Sequence, residues 1–222
     1  LKYVGDWCDD NYDGQGEEHY YEEGKGTFQT LKYTGTFKNG KYHGNTTNNC
    51  LYYKDGQGLE FQGKFKEGKK LEGIEYKVYS NKVKEYYRGI YDINEKYTGL
   101  GKIYHECGNL KYEGYFKNGL YDGNGIVYYT NGNLYYNTTF SKGESLAGNV
   151  IMYYENGNLC YSGDWKKNQY NGLGKLYWDH PDKIIKYEGH FYNGKYHGEG
   201  TSSKPLHVTG NKYVIDFKGR WD

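Results

Sequence analysis

KYEGYFKNGLYDGNG spans residues 111–125 and KYEGHFYNGKYHGEG spans residues 186–200. The two stretches agree at most positions and begin 75 residues apart. Their shared core is an aromatic residue, any residue, glycine, any residue, and a second aromatic residue. That core recurs at Tyr3-Gly5-Trp7, Tyr33-Gly35-Phe37, Phe61-Gly63-Phe65, Tyr87-Gly89-Tyr91 and Tyr112-Gly114-Phe116. It returns at Tyr161-Gly163-Trp165, Tyr187-Gly189-Phe191 and Phe217-Gly219-Trp221, and once with threonine, at Tyr136-Thr138-Phe140. Self-similarity at spacings of 24 to 30 residues is the signature of a repeat array.

Two further columns run in phase with the anchor. Two residues before it sit Leu1, Leu31, Leu59, Leu110, Leu134, Leu159, Ile185 and Ile215, with Glu85 as the exception. Downstream lie the pairs Gly14/Gly16, Gly99/Gly101, Gly123/Gly125, Gly172/Gly174 and Gly198/Gly200. The period of two predicts strands whose −2, 0, +2 and +4 residues share one face. Turn dipeptides separate the strands: Asn39-Gly40, Asn118-Gly119 and Asn193-Gly194, alternating with Asp55-Gly56, Gly108-Asn109, Asn131-Gly132 and Asn156-Gly157. Each repeat therefore reads as one β-hairpin. The glycines leave bare backbone on which an anchor ring can lie, and stability must come from stacked neighbours.

This pattern resembles the MORN repeat (membrane occupation and recognition nexus), with residues 112–125 fitting position by position. The resemblance covers essentially the whole chain. The expected fold is all-β: an elongated, single-layer, twisted antiparallel ribbon without helices. Residues 1–222 read as one array of about eight and a half hairpins. Most repeats exceed the family's usual unit. Repeats three and six lack a clean Gly-x-Gly, so bends or bulges are expected there. The first anchor begins at Leu1, and Trp221 and Asp222 fall inside the ninth anchor strand, so the chain reads as a portion of a longer protein or as one capped by other chains.

Composition agrees. The chain has 222 residues, 34 Gly, 31 Tyr and a mean hydropathy of −1.07, too little aliphatic material for an ordinary core. Net charge is +1, from 29 basic and 28 acidic residues, and Arg88 and Arg220 are the two arginines. That balance argues against nucleic acid as a partner and gives no polybasic surface for anionic lipid. Cys8, Cys50, Cys107 and Cys160 show no zinc or disulfide spacing, which suits a reducing compartment.

No catalytic, cofactor or metal site emerges. Gly-x-Gly without a following helix is not a phosphate loop. The histidines (His19, His43, His105, His180, His190, His197 and His207) have no metal-ligand spacing, and His43 and His197 merely share a repeat slot with Asp122 and Asn171. One column is less bland. Tyr104, Tyr128, Tyr153 and Tyr177 lie five residues after the first glycine of each pair region, opposite the packed face. They are the candidate partner-binding residues. The framework residues are Tyr112, Gly114, Phe116, Gly123, Gly125, Tyr187, Gly189, Phe191, Gly198 and Gly200. The aromatic face itself is a second candidate surface, open to a partner helix or a second copy. The expected function is a non-catalytic protein-interaction scaffold. The resemblance implies a cytoplasmic protein of cytoskeletal or ciliary structures. It also implies two alternatives: a phospholipid-binding tether, or the targeting module of an enzyme whose catalytic domain lies elsewhere.

Overall fold

A computed structural model describes residues 2–21, 30–205 and 213–221, so Leu1, His207 and Asp222 lie outside the described residues. The described chain is all-β, with nineteen antiparallel strands and no helix. It divides into two compact units: Leu1–Asn109 with Phe116–Gly119, and Leu110–Tyr115 with Leu120–Asp222. In the first, β1 (Tyr3–Cys8), β2 (Asn11–Tyr20), β3 (Thr30–Lys38), β4 (Lys41–His43), β5 (Cys50–Tyr52), β6 (Leu59–Lys66), β7 (Lys69–Tyr79), β8 (Lys82–Tyr91) and β9 (Tyr97–Tyr104) pair in chain order. The second holds most of β10 (Leu110–Lys117), then β11 (Leu120–Tyr128), β12 (Leu134–Ser141), β13 (Glu144–Ser145), β14 (Gly148–Tyr153), β15 (Leu159–Lys166), β16 (Gln169–Tyr177), β17 (Ile185–Tyr192), β18 (Lys195–Pro205) and β19 (Tyr213–Trp221). Each unit's sheet is open rather than closed into a barrel.

The predicted hairpins are present, and the Asn-Gly turns have the expected geometry. Asn39, Asn118 and Asn193 take φ of 49°, 53° and 48°, each followed by a glycine at positive φ, as a type I′ turn requires. Asp9-Asp10 and Lys167-Asn168 make the same turn without glycine.

Glycine pairs face each other across the hairpin: Gly163 opposite Gly174, and Gly189 opposite Gly200. A β-carbon on Gly125, Gly174 or Gly200 would overlap the ring of Tyr112, Tyr161 or Tyr187. The bare floor is therefore used by the anchor ring. The register slips between Gly163 and Trp165 and between Gly189 and His190, and the anchor hydroxyl donates to a carbonyl at the slip: Tyr161 to Asp164 O at 2.7 Å, Tyr187 to His190 O at 2.9 Å. The anchor tyrosine thus ties down its own bulge, each such bond contributing about 1 kcal/mol.

The −2 column departs from expectation. Leu176 pairs with Tyr187 while Tyr177 pairs with Ile185, leaving Lys186 as an extra residue. Val127/Tyr128 and Met152/Tyr153 show the same slip. This bulge turns the −2 aliphatic residue onto the face opposite the anchor and places the −1 residue on the aromatic face. There Tyr135 and Cys160 pack against the core of Val150, Met152, Tyr161, Trp165, Tyr187 and Phe191. The −2, 0, +2 and +4 set thus does not share one face; only 0, +2 and +4 do.

Bulges occur in ordinary repeats, so they do not distinguish repeats three and six as expected. What distinguishes a repeat is a broken second strand. In repeat two it splits into β4 and β5 around Asn49, whose side chain bonds Tyr33, Thr36 and Gly63. In repeat six it splits into β13 and β14. Repeat three keeps the long, continuous β7.

Candidate functional site

At the interior repeats the aromatic face is covered by its own rings, while Trp7 and Phe217 stay exposed. Six anchors share one arrangement: a second tyrosine, two residues before the first glycine of each pair region, stacks on the anchor. The ring centroids are 3.8 Å apart for Tyr3–Tyr12, 3.7 Å for Tyr112–Tyr121 and 3.8 Å for Tyr187–Tyr196. The +4 ring of the following repeat then meets the anchor edge-on, as in Tyr33–Phe65, Tyr87–Phe116 and Tyr161–Phe191. Tyr33, Phe61, Tyr87, Tyr112, Tyr161 and Tyr187 are 0 % exposed. Burial pushes the hydroxyls of Tyr33, Tyr87, Tyr112 and Tyr161 well above their ordinary pKa. The expectation that this face lies open for a partner helix is therefore corrected at the anchors. Ring-on-ring stacking along the repeats covers what a single hairpin would leave bare.

The framework residues fall into two roles. Gly114, Gly125, Gly189 and Gly200 form the floor beneath Tyr112 and Tyr187, whereas Gly123 and Gly198 sit at φ of 105° and 62°, where a side chain is strained. Phe191 lies 5.0 Å from Tyr187, and Phe116 closes the stack on Tyr87 and Tyr97.

Tyr128, Tyr153 and Tyr177 lie on the opposite, outer face, each paired with the displaced aliphatic residue: Leu134, Leu159 and Ile185. The Tyr177 hydroxyl lies 3.3 Å from Ser162 Oγ, which confirms the face. Tyr104, in the other unit, meets Glu85 and Arg88, and burial pushes its hydroxyl up. All four are half-buried or buried, so they are packing residues before they are contact residues. The column is also longer than the sequence suggested: Tyr52 pairs with Leu59 and Tyr76 with Glu85 in the same slot. Pairing back from the following anchor's −2 residue finds them; counting forward from the glycines does not.

The next residue after this column ties repeats together. Tyr20 donates to Tyr52 O, Tyr53 to Tyr76 O, Tyr129 to Tyr153 O and Tyr154 to Tyr177 O, at 2.6 to 3.0 Å. At the turns, Asn131 and Asn133 both donate to Glu155 O, and Asn156 and Asn158 both donate to Asp179 Oδ1.

The outer face of the second unit carries accessible apolar groups, among them Tyr115, Ile151 and Leu173, the last 58 % exposed. A shallow hollow of about 490 Å³ opens where β13 and β14 part, lined by Asn124, Ile126, Asn137, Thr139, Leu146 and Asn149. Among the described residues no cluster of three His, Cys, Asp or Glu side chains is placed to hold a metal ion. His43 pairs with Thr36, and His197 with His190. Burial pushes the Cys50 and Cys160 thiols up, which makes them poorer nucleophiles. Among the described residues no helix is long and apolar enough to cross a membrane.

The family model of the MORN repeat matches four stretches: residues 33–45, 112–134, 161–179 and 187–205. Each match opens on an anchor tyrosine, Tyr33, Tyr112, Tyr161 or Tyr187, and runs into the second strand of its hairpin. No curated protein matches the chain.

Proposed function

The chain carries MORN repeats, which serve as protein- or membrane-interaction modules and are as a rule non-catalytic, and on that premise we propose that it is a non-enzymatic scaffold for other proteins. The observation that carries this reading is the division of labour between the faces. Anchor rings, paired glycines and tyrosine hydroxyls are engaged by neighbouring repeats, and they repeat down the chain. The outer-face positions vary from copy to copy and stay accessible, as at Tyr115, Ile151 and Leu173. A surface of scattered apolar groups among neutral amides, without a cationic cluster, suits protein partners better than anionic headgroups. Four cysteines without a disulfide suit a reducing compartment, and the family resemblance favours a cytoskeletal or ciliary assembly there.

The test is cross-linking in cells with tagged wild-type chain and with Ile151→Asp/Leu173→Asp. The double variant, folded by circular dichroism, is expected to lose the proteins that cross-link to the wild type. Identical cross-linked sets would refute the outer-face scaffold.

A further inference from the structure

One slot on the aromatic face has a different chemistry in the first unit. In the second unit the residues in this slot are uncharged: Val127, Met152, Leu176 and Ser202. In the first unit it is a carboxylate twice: Glu18, opposite Tyr3 and Tyr33, and Glu75, opposite Phe61 and Tyr87. The two glutamates are satisfied differently. Glu18 is buried, accepts from the Tyr42 hydroxyl at 2.7 Å, and pairs with the Lys32 ammonium at 3.0 Å. Lys32 occupies the −1 position that the bulge turns onto this face.

Glu75 accepts from Tyr91 at 3.1 Å and from Tyr97 at 3.1 Å, one hydroxyl on each oxygen. The −1 position beside it holds Tyr86 instead of lysine. Among the described residues no ammonium or guanidinium pairs with the Glu75 carboxylate. Lys77, on the same strand, places its Nζ 3.4 Å from the centroid of the Tyr86 ring and forms no ion pair with Glu75. A half-buried carboxylate held by two tyrosine hydroxyls beside a further ring combines the two groups that stabilise an ammonium: an anion and π-faces. At the sibling Glu18 the −1 residue itself supplies the ammonium, whereas at Glu75 that residue is the Tyr86 ring, so a cation there has to come from elsewhere.

We propose that Glu75, with Tyr86, Tyr91 and Tyr97, is a receptor for a single lysine side chain presented by a partner protein. The two hydroxyls orient the carboxylate, and Tyr86 supplies the ring where Lys32 stands in the sibling. The partner's lysine would complete in trans the ion pair that Lys32 makes in cis. This rests on the scaffold reading and specifies the chemistry of one partner contact. It differs from the outer-face surface tested above, so either can fail alone.

The experiment titrates the whole chain with an acetylated, amidated single-lysine peptide, with the norleucine peptide as comparator, following the Tyr91 and Tyr97 ring resonances by NMR. The lysine peptide is expected to shift both rings saturably, and rising salt to weaken the effect. Glu75→Gln is expected to weaken binding about tenfold or more. Tyr86→Leu, which keeps the carboxylate, is expected to weaken it as well, and decides the matter if Glu75→Gln fails to fold. Exposed Glu72→Gln is expected to change nothing. The proposal falls if lysine and norleucine peptides behave alike, if Glu75→Gln binds as the wild type does, or if saturable shifts appear only in Lys77→Met, which would make Lys77 the occupant.

Discussion

Gly114→Ala and Gly219→Ala replace the same motif position, two residues after an anchor, and should differ sharply. At Gly114 a β-carbon would collide with the Tyr112 hydroxyl, with Asn124 O and with the Gly125 Cα. Two of the three obstacles are backbone, so relief requires the sheet to part or the ring to leave. Tyr112 is 0 % exposed. Expelling a ring of about 150–250 Å² at about 25 cal/mol/Å² costs about 4–6 kcal/mol, reduced to about 3–4 by a compact unfolded state. Losing the Tyr112 to Tyr115 O bond adds about 1 kcal/mol, for a total near 4–5 kcal/mol. At Gly219 the nearest atom is the tip of the Phe217 ring at 2.9 Å, and Phe217 is already 41 % exposed. That ring can tip outward, so the cost is expected to stay below about 1 kcal/mol. Urea unfolding followed by circular dichroism, with amide exchange on β11 as a local probe, measures both. Destabilisation by the two substitutions within about 1 kcal/mol of each other would refute the ring-on-glycine account.

Three other outcomes follow from particular contacts. Tyr154→Phe removes the 2.7 Å bond to Tyr177 O and is expected to cost about 1 kcal/mol and to speed amide exchange on the neighbouring repeat. Burial pushes the Tyr129 hydroxyl up to about 12, and the buried anchors higher. A raised folded-state pKa holds the proton, so stability is full below pH of about 10 and falls as pH climbs past it toward about 12; tyrosinate absorbance should rise together with unfolding. Flotation with vesicles rich in anionic lipid is expected to show no salt-sensitive binding, because 29 basic residues are offset by 28 acidic ones.

The hairpins, the glycine floor and the Asn-Gly turns were legible because each is local: a period of two, a residue without a side chain, a dipeptide that tolerates positive φ. What failed was the step from period to face. A bulge of one residue leaves spacing intact in the sequence and reverses the side of everything beyond it. Ile185 therefore carries the right spacing and sits on the other face from Tyr187. The stacking tyrosines, Tyr12, Tyr42, Tyr97, Tyr121, Tyr170 and Tyr196, stand in the sequence as Tyr-x-Gly, beside a stronger glycine signal. Their role depends on a cross-strand partner, which spacing along one strand does not reveal. The sealing of the aromatic face has the same origin, since each anchor is covered partly by the next repeat. Glu75 was invisible as a site because its partners Tyr91 and Tyr97 lie 16 and 22 residues away.

Within the second unit, repeat six breaks the run of stacked tyrosine pairs. Ser145 stands opposite Phe140 where six other repeats place the stacking tyrosine, and its hydroxyl is occupied by Trp165 Nε1 at 2.7 Å and by Asn168. Tyr136 accordingly has no parallel ring over it and meets Phe140 and Trp165 at 6.5 and 6.3 Å, both tilted. In a one-dimensional array, where cooperativity passes only between nearest neighbours, a weak coupling acts as a domain wall. Thermal opening of the second unit should nucleate at this seam and arrest on the tightly stacked hairpins to either side. The protein would then behave under load as segments joined by a compliant joint whose position is written in one serine.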